Sequence, residues 1–193
     1  MTLSRPTEPG PVDQILQRLR SARPRAGSTR VLAIDGRSGS GKTTLAGQVT
    51  AALADRSGSV ELMHLDELYP GWDGLAEAVP RLVAAVLRPL AVGRPAGFER
   101  WDWAHQRPGV HRPVPATDYL VLEGAGSGSR PCAPYLALLV WLHAPTALRR
   151  QRAIGRDGDL YAPHWDRWAA QEDRLFGAEH TADRADLVLD TSR

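Results

Sequence analysis

The chain has 193 residues, 42% of them hydrophobic, and its 24 basic and 22 acidic residues leave a net charge of +2. This length fits one enzyme-sized domain and is short for two. The basic residues are scattered along the sequence, which argues against a nucleic-acid partner. The single cysteine, Cys132, excludes an internal disulfide and a cysteine-based zinc site.

The N-terminal segment and the apolar runs bear on where the protein is located. Residues 1–11 are polar and contain prolines, so we expect no signal peptide. The longest apolar run, residues 135–142, is too short to span a bilayer, so we expect no membrane association. With a single cysteine, the simplest location is the reducing cytoplasm.

Hydrophobic periodicity predicts helices and strands in alternation. A helix at residues 12–20 and a Pro/Gly/Arg linker form an N-terminal segment, 1–28, ahead of a main domain at 29–193. Strands are predicted at residues 30–34, 60–64, 118–124, 135–143 and 186–190. Helices are predicted at residues 43–54, 75–92 (with a break or new start at Pro80), 145–154 and 163–178. This order predicts a single α/β domain, with helices on both faces of a mostly parallel five-stranded sheet.

One stretch, residues 93–117, fits neither a helix nor a strand pattern. It is dense in Gly, Pro, Trp, His and Arg, and it is too long for an ordinary connection in a compact domain. Loops of this kind usually cover or line a site. We therefore predict an irregular loop that covers the substrate.

Residues 36–43 match G-x-x-x-x-G-K-[ST], the phosphate-binding P-loop, between a predicted strand and a predicted helix. The predicted nucleotide-binding residues are Gly36, Arg37, Ser38, Gly39, Ser40, Gly41, Lys42, Thr43 and Thr44. Lys42 is the only lysine in the chain, and its compact ammonium can reach between phosphate oxygens where a planar guanidinium would crowd the loop. The Thr43 hydroxyl is expected on Mg²⁺. The alternative, a glycine-rich turn before an ordinary helix, is less favoured because both strand and helix flank the motif. The motif therefore predicts that the α/β domain is a single P-loop NTPase domain.

Acidic residues follow three of the predicted strands. They are Asp66 with its neighbour Glu67, Glu123, and Asp190. In open parallel sheets the ligand lies beyond the carboxyl ends of the strands. Phosphoryl transfer needs a carboxylate to accept the acceptor's proton and another to help hold Mg²⁺, and Asp66 and Glu123 suit these roles. Alternatively, Asp66 caps the following turn and Glu123 lies in a solvated turn.

Three segments in this order resemble the uridine kinase branch of the P-loop kinases, which also contains phosphoribulokinase, bacterial pantothenate kinase and nicotinamide riboside kinase. The segments are residues 39–44, residues 66–69 (Asp-Glu-Leu-Tyr) and residues 122–124 (Leu-Glu-Gly). The resemblance implies that Asp66 is the catalytic base and that Tyr69 helps to line the acceptor pocket.

The same family usually contacts its nucleoside through a Tyr-Asp-Phe segment followed by a histidine. Residues 101–105, Trp-Asp-Trp-Ala-His, look like a variant in which Trp replaces Tyr and the histidine lies one residue closer. The resemblance therefore implies that Trp101, Asp102 and His105 bind the substrate. Trp72 and Asp73 match no part of the family pattern and are expected to shape a pocket peculiar to this protein.

A further similarity concerns a lid segment, residues 149–160, which contains the Arg-x-x-x-Arg-Asp pattern of these kinases. Arg152 and Arg156 are one helical turn apart and face the same way, so both can neutralise oxygens of the transferring phosphoryl group. The alternative is an exposed basic helix face, to which we assign the neighbouring Arg149 and Arg150.

The remaining tryptophans and the histidines carry weaker signals. Trp141 is expected in the core, and Trp165 and Trp168, one turn apart, are expected to anchor a helix. Trp101 and Trp103 either stack on a ligand or pack their loop onto the sheet. No pair of histidines has zinc-site spacing, so we predict no transition metal.

Together these features predict a kinase that transfers the γ-phosphoryl group of ATP, with Mg²⁺, to a hydroxyl of a nucleoside or another small metabolite. The alternative is a nucleotide-binding switch or regulatory ATPase without a small-molecule acceptor. An Asn-Lys-x-Asp guanine reader is absent because the chain contains no asparagine. The sequence leaves the oligomeric state and the choice between ATP and GTP open.

Overall fold

The computed structural model describes residues 9–56 and 58–192. In chain order the strands are β1 (Arg30–Gly36), β2 (Val60–His64), β3 (Ala96–Asp102), β4 (Arg107–Val114), β5 (Tyr119–Glu123), β6 (Leu136–His143) and β7 (Leu187–Asp190). The α-helices are α1 (Pro11–Ser21), α2 (Lys42–Arg56), α3 (Leu75–Leu82), α4 (Arg88–Ala91), α5 (Thr146–Asp157), α6 (Trp165–Glu179) and α7 (Thr181–Arg184). Residues 1–8 of the predicted N-terminal segment lie outside the described residues.

The central sheet is parallel, with the strand order β2-β5-β1-β6-β7, which confirms the predicted five-stranded sheet. Alternate residues of β1 face opposite sides. Val31 and Ala33 join an apolar cluster with residues of α3 and α6, whereas Leu32 and Ile34 join a second cluster with residues of α1 and α2. Helices therefore cover both faces, as expected for a parallel sheet whose strands are buried on both sides.

The strand register brings the carboxyl ends of three strands together. Glu123 at the end of β5 lies between Ile34 of β1 and His64 of β2. Because parallel strands end at the same edge of a sheet, the segments that follow β1 and β2 also meet there. These segments are the P-loop, residues 36–43, and the 3₁₀ turn Leu65–Glu67.

The N-terminal helix α1 packs on the same domain. Ile15, Leu16 and Leu19 are buried in the apolar cluster that contains α2 and one face of β1. This burial accounts for the helical spacing of the three residues in the sequence. Among the described residues, no helix combines the length and the apolar character that a membrane span requires.

The prediction of an irregular loop at residues 93–117 is wrong, because β3 and β4 form an antiparallel hairpin there. Its buried side chains, Phe98 and Val114, pack into the core. A two-stranded hairpin leaves every second N–H without a strand partner, so the prolines of β4 are tolerated. Arg112 joins the hairpin to the sheet edge by donating hydrogen bonds to Glu67 (2.7 Å) and Glu61 (2.6 Å).

The predicted break at Pro80 is also wrong. α3 continues through Pro80, and a π-helical turn, Val83–Leu87, joins it to α4. The proline removes a single backbone donor and its side chain faces solvent. Burial of the opposite face, which includes Leu82 and Val86, stabilises the helix despite this loss.

Candidate active site

The P-loop connects β1 to α2, and the α2 helix begins at Lys42. Gly39 has a φ of +77°, and a Cβ at this position would lie 2.1 Å from the carbonyl oxygen of Arg149. Only glycine permits this approach of the loop to α5. The Lys42 ammonium donates a hydrogen bond to the carbonyl oxygen of Arg37 at 3.1 Å, so the lysine folds back over the loop.

A polar cluster lies beside the loop at the strand ends. Glu123 is buried, and its Oε1 accepts hydrogen bonds from the Thr43 hydroxyl (3.2 Å) and from His64 Nδ1 (2.6 Å). Burial alone would raise the pKa of Glu123, but the His64 bond, the Lys42 charge and the Thr43 bond together lower it. The hydrogen bond to Glu123 likewise raises the pKa of His64. Glu123 is therefore a stable carboxylate at the mouth of the P-loop.

Asp66 lies in the 3₁₀ turn after β2, at the same sheet edge. One ligand atom each from His64, Asp66 and Glu123 lies within 4.8 Å of the others. Loss of solvent around Asp66, followed by the nearby negative charge of Glu123, raises the pKa of this carboxyl. The Glu123 carboxylate and the Thr43 hydroxyl, which are hydrogen-bonded to each other, are oxygen ligands of the kind that Mg²⁺ prefers. These two donors fit the predicted Mg²⁺, and Asp66 lies beside them.

A cavity of about 600 Å³ opens beside the P-loop, a volume typical of small-molecule sites. The cavity is lined by the P-loop and the first turn of α2, by α5, by the end of β7 and by the first residues of α1. Its lining includes Val12, Lys42, Thr43, Arg152, Arg156 and Thr191.

The two predicted lid arginines lie on this cavity with different partners. Arg152 donates hydrogen bonds to the Thr191 carbonyl oxygen (2.8 Å) and hydroxyl (3.3 Å), which directs it towards the end of β7. Arg156 bonds both oxygens of Asp157 (2.7 and 2.6 Å). This bond raises the pKa of Arg156, as do the charges of Asp66 and Glu123. The structure therefore brings Arg156 near the carboxylates Asp66 and Glu123. Arg152 is bonded instead to Thr191, whose hydroxyl donates to the Ser40 carbonyl oxygen of the P-loop at 2.8 Å.

The residues predicted to bind the acceptor are spread over two places. Tyr69 is buried, and its hydroxyl donates to the Ala125 carbonyl oxygen at 2.9 Å. Asp102 and His105 lie in the turn of the β3–β4 hairpin, where Asp102 accepts a hydrogen bond from His105 Nδ1 at 2.8 Å. Trp101 precedes them and is partly buried. Each of these hydrogen bonds thus stabilises the local structure around the residue that makes it, which holds for Tyr69, Asp102 and His105.

An aromatic cluster next to Asp66 was not predicted. The indole N–H of Trp103 donates to the Asp66 carbonyl oxygen at 2.9 Å. The Trp72 ring lies 4.9 Å from Trp103 and stacks on His164 at 4.2 Å and Tyr161 at 5.5 Å. The sequence marked Trp72 as unusual but gave no sign of its partners, which come from a distant hairpin and from the segment after α5.

The assignment of Arg149 to a solvated helix face is wrong, because its side chain is buried, whereas Arg150 is exposed as predicted. Arg149 donates to the Ser38 carbonyl oxygen at 3.1 Å and lies near the buried Glu172 of α6. Trp141, Trp165 and Trp168 are buried, which confirms that they belong to the core.

Asp35, the residue before the P-loop, was also missed. It is fully buried and accepts hydrogen bonds from the backbone N–H groups of Gly36 (2.7 Å), Gly126 (3.0 Å) and Gly128 (2.8 Å). Burial raises the pKa of Asp35 from 3.8 to about 6, even though these bonds favour the charged form. Asp35 therefore ties the start of the loop to the segment after β5. A single acidic residue inside an apolar strand is the sequence signal that could have found it.

Replacing Asp35 by asparagine should change how stability depends on pH. The folded protein holds the Asp35 proton more tightly than the unfolded chain, so its contribution to stability falls as pH rises from about 4 to above 6. The variant lacks this loss. Its free energy of unfolding should therefore rise relative to that of wild type by up to about 3 kcal/mol over that range. Urea unfolding of both proteins between pH 4.5 and 8 measures the difference. A constant difference across this range would contradict the prediction.

Two solved structures with the same fold are described as kinases. A possible uridine kinase from Bacillus stearothermophilus is 24% identical, with a TM-score of 0.70, over 93% of this chain and 97% of that chain. A putative fructose transport system kinase from Silicibacter sp. TM1040 is 19% identical, with a TM-score of 0.61, over 92% of this chain and 96% of that chain. No protein-family model and no curated protein sequence matches the chain. The comparisons confirm a P-loop kinase fold over nearly the whole chain.

Proposed function

We propose that this chain, which has a P-loop kinase fold, is an ATP-dependent kinase acting on a hydroxyl group of a small molecule. One observation carries the proposal: the P-loop, the Glu123 carboxylate and the Asp66 carboxylate meet at one sheet edge, with Thr43 bonded to Glu123 at 3.2 Å. A protein that only binds nucleotide needs no carboxylate at position 66. A phosphotransferase needs a base there.

In this proposal the acceptor hydroxyl attacks the γ-phosphorus, the bond to the β–γ bridging oxygen breaks, and ADP leaves. Lys42 and the backbone N–H groups of the P-loop hold the phosphates. Asp66 accepts the hydroxyl proton, and its raised pKa brings it closer to the value that suits a base near neutral pH. Arg156 turns from Asp157 towards the transferring oxygens.

Thr43 and Glu123 would hold Mg²⁺, directly or through water. Bound there, the ion would neutralise charge on the β- and γ-phosphate oxygens. The charged state of Glu123 favours this role, since its His64, Lys42 and Thr43 contacts lower the pKa of the carboxyl.

The acceptor would lie between Asp66 and the aromatic cluster of Trp72, Trp103, Tyr161 and His164. Planar aromatic rings beside a catalytic carboxylate suit a nucleoside or another compact polyol as the acceptor. Further candidates for acceptor contacts lie at the tip of the β3–β4 hairpin and are Trp101, Asp102 and His105. The buried Tyr69 would support the pocket from the core. The lone cysteine supports a cytoplasmic location for this reaction.

The test is ADP release from Mg-ATP by the purified full chain, measured against nucleosides, sugars, vitamins and amino alcohols. We expect turnover that depends on one acceptor class and yields a phosphorylated product. Lys42→Met is the matched control and should remove both ATP binding and turnover. ATP hydrolysis that no acceptor stimulates would favour the switch ATPase and contradict the kinase.

A separate prediction concerns Val12 of α1, which lines the cavity together with the P-loop. If the phosphates lie on the P-loop, we expect the part of the cavity beside Val12 to hold the nucleoside part of ATP. Val12→Trp should fill it and weaken ATP binding about tenfold, or 1.4 kcal/mol, without changing the affinity for inorganic tripolyphosphate. Calorimetric titration with both ligands measures the effect.

Gln17→Trp is the matched control for Val12→Trp, because Gln17 lies on the exposed face of α1. It adds the same bulk away from the cavity and should leave both affinities unchanged. Equal loss of ATP and tripolyphosphate affinity in Val12→Trp would contradict this placement of the nucleoside.

A further inference from the structure

Ser38, the third residue of the P-loop, is hydrogen-bonded to a buried pair of oppositely charged side chains that lie outside the loop. The Ser38 N–H donates to Glu172 Oε1 at 2.7 Å, and the Ser38 carbonyl oxygen accepts from Arg149 Nη1 at 3.1 Å. Arg149 is 5% exposed and Glu172 is 1% exposed. One side chain comes from α5 and the other from α6, so both backbone groups of Ser38 are fixed by elements distant in the sequence.

All three nitrogen atoms of the Arg149 guanidinium group donate hydrogen bonds. Besides Ser38, it donates to the Ala144 carbonyl oxygen and the Thr146 hydroxyl, both at 3.1 Å. Its charge lies over the Trp165 ring at 5.7 Å. Burial lowers the pKa of Arg149, and the negative charge of Glu172 opposes this effect. A buried arginine whose three guanidinium nitrogens all donate hydrogen bonds is held in one orientation.

Glu172 is equally constrained. Its Oε1 accepts a second hydrogen bond, from the indole N–H of Trp168 at 3.0 Å, and its Oε2 lies 3.9 Å from Arg149 Nη1. Trp168 in turn contacts the rings of Tyr69 and Trp72. Glu172 thus touches the P-loop on one side and, through Trp168, the aromatic cluster beside Asp66 on the other.

The position of Ser38 decides the shape of the phosphate site. Its neighbour Arg37 supplies the carbonyl oxygen that Lys42 contacts, and its other neighbour, Gly39, packs directly on the backbone of Arg149. Burying two charges costs free energy that an apolar pair would not cost. Two well-packed apolar residues could fill this space, but they could not fix both peptide groups of Ser38.

We propose that Glu172, together with Arg149, is a positioning residue that holds the P-loop in the shape that binds phosphates. The proposal rests on the proposed function, since it requires that the loop binds a nucleotide. Glu172 does not touch the reacting atoms. Its effect should therefore be on triphosphate affinity and on KM for ATP, while KM for the acceptor stays close to that of wild type.

The test is Glu172→Gln, which keeps the size of the side chain and can still accept from Ser38, but leaves Arg149 buried without its counter-charge. At a temperature where the variant is fully folded, we expect the affinities for ATP and inorganic tripolyphosphate to fall together, by about 10–100-fold, as for a misplaced binding group.

Arg149→Lys keeps the charge but loses most of the hydrogen bonds, and it should lower the affinity for both ligands as well. Arg150→Gln, at the exposed neighbouring position, is the matched control and should bind both ligands like wild type.

Circular dichroism and thermal unfolding establish the folded state of each variant. If Glu172→Gln does not fold, Trp168→Phe keeps a ring in the core and removes only the donor to Glu172, and it should also weaken tripolyphosphate binding. Unchanged affinities in a folded Glu172→Gln or Trp168→Phe, with only a lower Tm, would overturn the proposal and leave the pair a stabilising contact. Failure of wild type to bind either ligand would instead refute the proposed function.

Discussion

Asp66→Asn is expected to lower kcat by roughly 10²–10⁴-fold with the best acceptor, the usual contribution of a general base. Asparagine keeps the shape of the side chain but cannot accept the hydroxyl proton. The Asp66 carbonyl oxygen, which bonds Trp103, is unaffected by the change. ATP affinity should therefore stay within about twofold of wild type, because in the proposed function Asp66 contacts the acceptor hydroxyl and not the phosphates. Steady-state kinetics and calorimetric titration with ATP measure the two effects separately.

The dependence of the rate on pH tests the same role of Asp66 independently. Catalysis needs the ionised carboxylate, so the rate should fall as pH drops through the pKa of Asp66. Loss of solvent and the charge of Glu123 raise this pKa, which moves the acid limb above the usual aspartate range. Glu77→Gln, an exposed carboxylate on α3, is the control and should leave the profile unchanged. A rate in Asp66→Asn equal to that of wild type would exclude Asp66 as the base.

The parts of the site that depend on local sequence were predictable. The P-loop is encoded by glycines and one lysine within eight residues, because its backbone conformation alone creates the phosphate site. Asp66 and Glu123 were found because they follow apolar strands, and the carboxyl ends of parallel strands meet at one edge. The structure confirms this sheet, so these residues come together without any knowledge of their side-chain partners.

The parts that depend on contacts between distant segments were not predictable. Burial of Arg149 requires Glu172 from another helix, and nothing in the sequence near Arg149 indicates that partner. The stacking of Trp72 on His164 likewise joins two loops. The hairpin was missed for a different reason. Gly97, Pro108 and Pro113 interrupt its strand pattern, and packing of Phe98 and Val114 on the core compensates for them.

Glu123→Gln is expected to raise the Mg²⁺ concentration needed for half-maximal turnover by about 10–100-fold. Glu123 is a buried carboxylate at the mouth of the P-loop, and its Oε1 accepts from both Thr43 and His64. Glutamine can retain one of these bonds, but it carries no charge to attract a cation. It also leaves the raised-pKa His64 without its anionic partner. The measurement is turnover at saturating ATP and acceptor as a function of Mg²⁺ concentration.

The control for Glu123→Gln is Glu61→Gln, which removes a carboxylate near the start of β2, the strand beside β5. Glu61 bonds Arg112 of the hairpin and does not contact Thr43, so its variant should keep the Mg²⁺ dependence of wild type. An unchanged Mg²⁺ requirement in Glu123→Gln would mean that the ion is held by the phosphates and Thr43 alone. In that case Glu123 would act only by orienting Thr43 and His64. A shift in Glu123→Gln but not in Glu61→Gln would instead tie the ion to Glu123, which the register of β1, β2 and β5 places beside the P-loop.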